Sequence, residues 1–223
     1  MCNLSPNGAE GLRGKPDLKA FAPAVEESAG KGTLRPGDSM AKAKGTTLVG
    51  SVRFLRKHKQ RARELLPQDL HHYLEERIHE SRWYPESDLH QLLQATVSLM
   101  PGSRAEILAR LGEATAREHL EGIYSHLAKG THHGVARRAL ALWSSQHDSG
   151  SFEVEQLSPS EALMTIRDFA HPSEIMCGIL GGYLAEALRV DGATDVKIEK
   201  KACVLRGDPA CSWIRRSGAR SGR

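Results

Sequence analysis

The apolar positions of the chain follow one rhythm before residue 148 and another after it. Val52, Leu55, Leu65 and Leu66 predict a helix over 51–66, broken and restarted at Leu66-Pro67-Gln68-Asp69. Arg82-Trp83-Tyr84-Pro85 marks the start of the next, because proline is favoured at a first helical position. The helix predicted over 86–99 presents Leu89, Leu92, Leu93 and Val97, with Met100 following. Pro101-Gly102-Ser103 ends it, and Ser103 with Glu106 makes a capping box for a helix over 104–128. That helix carries Leu108, Leu111, Ala116, Leu120, Ile123 and Leu127 at helical spacing, and Gly130 stops it. A further helix over 134–147 presents Val135, Ala139, Leu142 and Trp143.

Beyond the Ser149-Gly150 turn the period drops to two. Phe152, Val154 and Leu157 alternate with Glu153 and Glu155, which is strand spacing. Ser158-Pro159-Ser160 turns the chain into a second strand over 161–169. His171-Pro172-Ser173 opens a helix over 173–190 that is apolar nearly all round and holds Gly178, Gly181 and Gly182. Glycine costs about 1 kcal/mol inside a helix, so this face predicts close backbone packing against the sheet. A third strand runs from Val196 to about Leu205, and a fourth over 211–214 follows the tight turn Arg206-Gly207-Asp208-Pro209. The fold class predicted is α+β: N-terminal helices packed on a small antiparallel sheet of β-β-α-β-β order.

Composition narrows the picture. The chain has 223 residues and a formal net charge of +4. Residues 1–45 carry +2 and residues 215–223 carry +4, so the interval between carries −2. A nucleic-acid-binding domain needs its basic surface on folded structure, and no such excess lies there. Residues 1–45 are rich in glycine and proline without periodicity and predict a disordered extension; 46–214 predict one domain, and 215–223 a basic disordered tail. Met40 begins Met-Ala-Lys-Ala-Lys, a second plausible start to Met1. No run of about 18 apolar residues predicts a membrane span, and no basic-then-apolar leader is present, so a cytoplasmic location is expected. The chain shows no Walker A loop, no G-x-S-x-G elbow and no H-E-x-x-H, and the expectation is a protein that is not an enzyme.

The last third carries a resemblance. His171-Pro172, Cys177 with Gly181-Gly182-Tyr183-Leu184, Asp191-Gly192-Ala193, and Cys203 with Gly207-Asp208 and Cys211 resemble the four-vinyl-reductase (4-vinyl reductase) sensor domain family. Gly50-Ser51-Val52, Trp83-Tyr84-Pro85, Leu111-Gly112 and Asp148-Ser149-Gly150 resemble a myxobacterial branch of the same superfamily. That superfamily is similar to the vesicle-tethering subunits of the TRAPP complex and to the ligand-binding domain of haem nitric-oxide sensors. The resemblance implies a non-catalytic module that encloses a hydrophobic small molecule or acts as a dimeric scaffold, and the expectation is a homodimeric sensory module that signals through a separate protein. A scaffold with a filled interior and a tetrapyrrole-related accessory factor are the other readings it leaves open.

Cys203 and Cys211 flank the tight turn, and Cys177 stands on the helix that should cover that hairpin. Three thiolates meeting there can hold Zn²⁺ at about 2.3 Å each, stand as buried reduced thiols, or pair Cys203 with Cys211. The spacings match zinc-binding relatives, in which a glutamate three residues before the middle cysteine completes the set. Here that position is Lys200, and Glu199 beside it is the candidate fourth ligand if the strand slips. Glu174 and His171 are within reach of the same helix end. Trp83, Tyr84, Tyr124, Trp143 and Tyr183 are the candidate ligand walls. His71, His72, His132 and His133 read as solvated, and His119 and His126 as the edge of a core. His90 could in principle be an axial haem ligand, but a lone histidine on an amphipathic helix is rarely one, and the Tyr-x-Ser-x-Arg motif of the haem sensors is absent.

Overall fold

The computed structural model describes residues 41–125 and 135–218. Cys2, His126, Leu127, Gly130, His132 and His133 fall outside them.

Strand β1 (Lys42–Lys44) leads directly into α1 (Gly45–Lys57), which is followed by the shorter α2 (Lys59–Leu65) and a 3₁₀ turn over Gln68–Leu74. β1 is the first element of the described residues, and its partner is distant in the sequence. It pairs antiparallel with β2 (Trp83–Pro85), Lys42 opposite Pro85 and Lys44 opposite Trp83. Helices α3 (Glu86–Leu99) and α4 (Arg104–Arg117) come next. Both bonds of the capping box are made at the start of α4: the Ser103 hydroxyl accepts from the Glu106 N–H, and the Glu106 carboxylate accepts from the Ser103 N–H. Helix α4 stops being α-helical at Arg117, and Glu118–Ile123 form a π-helical turn that departs from helical geometry at Gly122.

Helix α5 (Val135–Gln146) leads into β3 (Ser151–Ser158) and β4 (Glu161–Arg167); then come α6 (Glu174–Val190), β5 (Lys197–Ala202) and β6 (Cys211–Arg216). All the pairings are antiparallel, in the spatial order β3-β4-β6-β5. The architecture is α+β, with the β-β-α-β-β order read from the sequence. The third strand ends at Ala202 rather than near Leu205, since Val204–Arg206 tighten into a 3₁₀ turn. No helix among the described residues is long and apolar enough to cross a membrane.

Two buried clusters hold the chain together. Leu48, Val52 and Leu55 of α1, Leu89 and Leu92 of α3, and Ile107 and Leu108 of α4 meet Ile175 and Ile179 of α6. Trp143 of α5, Phe152 of β3, Met164 and Ile166 of β4, Leu184 of α6, Cys203, Cys211 and Trp213 form the second. Helix α6 contributes to both. Its glycines explain how: Gly181 faces Trp213 of the sheet as expected, while Gly178 and Gly182 face α4 instead. A Cβ on Gly112 of α4 would overlap the carbonyl oxygen of Ile179, and one on Gly182 would overlap that of Ala109. A Cβ on Gly178 would strike the Leu108 side chain. The glycine face is the seat of a helix–helix crossing, backbone on backbone.

Candidate metal centre and ligand pocket

The hairpin β5–β6 and the first turns of α6 bring three sulfurs together. Ser173 caps α6 by accepting the Met176 N–H at 3.1 Å, which fixes Cys177 in the opening turn. Cys203 follows β5 immediately. Its N–H donates to the Asp208 carboxylate at 2.6 Å, and Gly207 takes the left-handed conformation (φ +87°) that reverses the chain toward Cys211. The Cys177 Sγ lies 3.8 Å from both Cys203 Sγ and Cys211 Sγ, and the latter two are 3.9 Å apart. All three are unpaired as disulfides. Tetrahedral thiolates around a zinc ion at about 2.3 Å stand about 3.8 Å from one another, so the triangle has the size of a coordinated set. Cys203 and Cys211 are buried and Cys177 is half-buried.

No histidine or carboxylate among the described residues joins the triangle. Glu199 lies across the strand: Lys201 holds one of its oxygens at 2.6 Å and Arg216 the other at 2.9 Å, out in solvent. Strand alternation sends it to the outer face, with Lys197 and Lys201. The register shift in β5 falls after Lys200, too late to turn Glu199 inward. The inward residue is Lys200, opposite Trp213 in the sheet. Its Nζ lies 3.2 Å from the Cys177 Sγ and 3.5 Å from the centre of the Trp213 ring.

The thiols do not share one electrostatic environment. Burial pushes the Cys177 pKa up to about 12, against the opposing pull of the Lys200 ammonium. Burial also works against ionisation of Cys211. There the Val204 backbone N–H, the charge of Lys200 and the two neighbouring sulfhydryls outweigh it, and the pKa falls below its ordinary value.

Beside the sulfurs is a hollow of about 200 Å³. Ile166, Phe169, Met176, Leu180, Pro209 and Trp213 give it apolar walls, Asp168 and Ser173 stand at its edge, and Cys177 and Cys211 form part of its lining. The aromatic residues expected to wall a ligand are placed elsewhere. Trp83 is 40% exposed beneath the Lys44 ammonium. The Tyr84 hydroxyl accepts the His79 N–H at 2.9 Å. Trp143 donates its indole N–H to the Ser149 carbonyl at 3.0 Å and stacks on His147. Tyr124 and Tyr183 both set ring edges against His119. Trp83 apart, these rings fasten elements to one another, which is the commoner use of large aromatics. The residues that do line the hollow had a signal in the sequence: Cys211 and Trp213 are two apart on a strand, and Met176 and Leu180 are four apart on a helix.

A second hollow of about 760 Å³ opens between α1 and residues 77–81. Arg53, Arg56, Lys57 and Arg77 line it, and it contains none of the candidate metal or ligand residues read from the sequence.

No protein-family model matches the sequence, and no curated protein does either. Solved structures do share the fold. An Fe(II) unliganded H-NOX protein from K. algicida aligns with a TM-score of 0.56 at 14% identity, over 81% of this chain and 99% of its own. A mutant H-NOX of T. tengcongensis aligns at 0.55 and 11% identity, over 80% and 100% of the two chains. A structure from work on heme distortion in the H-NOX family aligns at 0.56 and 10% identity, over 81% and 97%.

The likeness in fold raises haem, and the hollow beside the thiols does not fit one. The hollow beside the thiols lies below the about 300–1,000 Å³ of ordinary ligand pockets, and no histidine lines it. Each of the two buried histidines holds its hydrogen bonds through Nδ1: His119 with Gln146 at 3.0 Å and Tyr183 at 3.4 Å, His147 with Glu86 at 3.1 Å. His90 lines neither hollow.

Proposed function

We propose that this chain is a small-molecule-binding sensory module of the four-vinyl-reductase type, in which Cys177, Cys203 and Cys211 hold a zinc ion beside the ligand pocket. The observation that carries this reading is the triangle of sulfurs at 3.8–3.9 Å, two of which line an apolar hollow. Bound there, zinc would tie α6 to the β5–β6 hairpin, an ordinary service of structural zinc sites. The size of the hollow selects the ligand. A cavity of about 150 Å³ accepts benzene, so about 200 Å³ suits a single substituted ring. Ile166, Phe169, Leu180 and Trp213 supply the apolar contact that would hold it.

The same reading has the module act without catalysis, in the cytoplasm, as a homodimer, through contact with a separate signalling protein. The hollow itself weighs against a scaffold whose interior is solid, and its small volume weighs against a tetrapyrrole ligand. The test is native mass spectrometry with metal analysis of the full chain. One zinc per chain is expected, lost in Cys177→Ser, together with a lower melting temperature for that variant and for chelator-treated protein. A metal-free protein with three freely titrating thiols would overturn the zinc assignment. Failure of any single-ring aromatic to bind would overturn the sensory one.

A further inference from the structure

The cysteine cluster contains three donors where a tetrahedral ion takes four. Lys200 points its ammonium at the cluster, and an ammonium cannot coordinate. Glu199 is turned away by strand alternation and held by Lys201 and Arg216. Nothing else among the described histidines, aspartates and glutamates reaches the sulfurs. Cys177 and Cys211, by contrast, open onto the apolar hollow.

We propose that the fourth donor comes from the ligand: a compact single-ring molecule with one anionic oxygen or sulfur, seated between Phe169, Leu180 and Trp213 and bonded directly to the metal. The inference rests on the zinc reading above and deepens it. Charge accounts for the lysine. Three thiolates around a divalent ion leave one negative charge, which would repel an incoming anion. Lys200, 3.2 Å from Cys177 Sγ, cancels that charge within the site. A fourth carboxylate from the protein would close the position. A lysine keeps it open and makes it receptive to an anion. The Trp213 ring beneath the ammonium holds it in place through a cation–π contact at 3.5 Å. The hollow then reads the body of the ligand and the metal reads its donor atom.

The experiment loads the full chain with Co²⁺, whose visible bands report the donor set, and titrates phenol, benzenethiol and toluene. Occupancy is followed separately by calorimetry. Toluene fits the hollow but offers no donor, so it should bind without moving the cobalt bands. Phenol and benzenethiol, each releasing its proton to solvent as the donor atom meets the metal, should shift the bands and bind at least about tenfold more tightly. Lys200→Glu supplies a protein carboxylate, so it should keep cobalt and lose the shift. Cobalt bands that stay unmoved while all three compounds bind equally would overturn the inference and leave the pocket and the metal standing. Failure to take up cobalt, or to bind any of the three, would overturn the reading beneath it and the inference with it. Both results come from the unmodified chain, so neither depends on the folding of the variant.

Discussion

The ammonium of Lys200 sits between a sulfur and an indole, 3.2 Å from Cys177 Sγ and 3.5 Å from the centre of Trp213. It is the one influence on Cys177 that favours the thiolate against burial and two neighbouring thiols. In metal-free protein, Lys200→Met should therefore push the Cys177 pKa higher still and slow its alkylation several-fold. Peptide-resolved iodoacetamide labelling at pH 8 measures this. Equal rates in the two proteins would mean the lysine does not act on the sulfur.

Glu199 should be dispensable to the metal. Its two oxygens are occupied by Lys201 and Arg216 on the solvent face. Glu199→Gln is expected to bind the same amount of metal with the same affinity, while Cys203→Ser is not. Competition with a chromophoric chelator compares them, and a weakened Glu199→Gln would show that the strand slips when metal binds.

Gly→Ala inside a helix ordinarily gains about 1 kcal/mol. At Gly112 and Gly182 the sign should reverse. The added methyl would meet the carbonyl oxygens of Ile179 and Ala109, with no flexible side chain to yield. A loss of about 3 kcal/mol is expected from such overpacking. Gly207→Ala, in open space at φ +87°, should lose only the left-handed strain of about 1 kcal/mol. Urea denaturation of the three variants ranks them, and a stabilised Gly112→Ala would disprove the crossing.

Acid should weaken the fold in two stages. Burial depresses the His119 pKa below its ordinary 6.5, with His147 adding to that effect and the Thr46 carbonyl and Glu118 opposing it. The unfolded chain then takes up the proton first. Stability is full above pH 6.5 and is lost as pH falls toward the depressed value. A second loss comes at lower pH from Glu186. Burial raises its pKa, but the hydrogen bonds of Arg117 and Arg189 pull it below 4.5 overall. Its contribution is present above 4.5 and disappears as pH falls through the lowered value. Denaturant midpoints between pH 8 and pH 3 should show both steps, and a flat profile from 7 to 5 would rule out the His119 part.

The legible features of this sequence are local. Ser103 and Glu106 announce a capping box and make one. Alternation along β5 foretells that Glu199 faces out and Lys200 in. The Gly207-Asp208 turn sets Cys203 against Cys211. The features that escaped are relations between distant segments. The glycines of α6 signal a close approach, but only Gly112, more than sixty residues away, says that the partner is a helix. The pairing of β1 with β2 joins strands too short to carry a pattern. The conspicuous aromatics Trp83, Tyr84, Tyr124, Trp143 and Tyr183 stand away from the hollow, which Met176, Leu180, Phe169 and Trp213 line.

The backbone contact between α4 and α6 leaves no slack. Where side chains separate two helices, rotamer changes can absorb a small push; here carbonyl meets Cα and there is nothing to compress. A shift of α6 that begins at Cys177 must carry α4 with it, so events at the sulfurs would reach the far helices as the movement of a single rigid body.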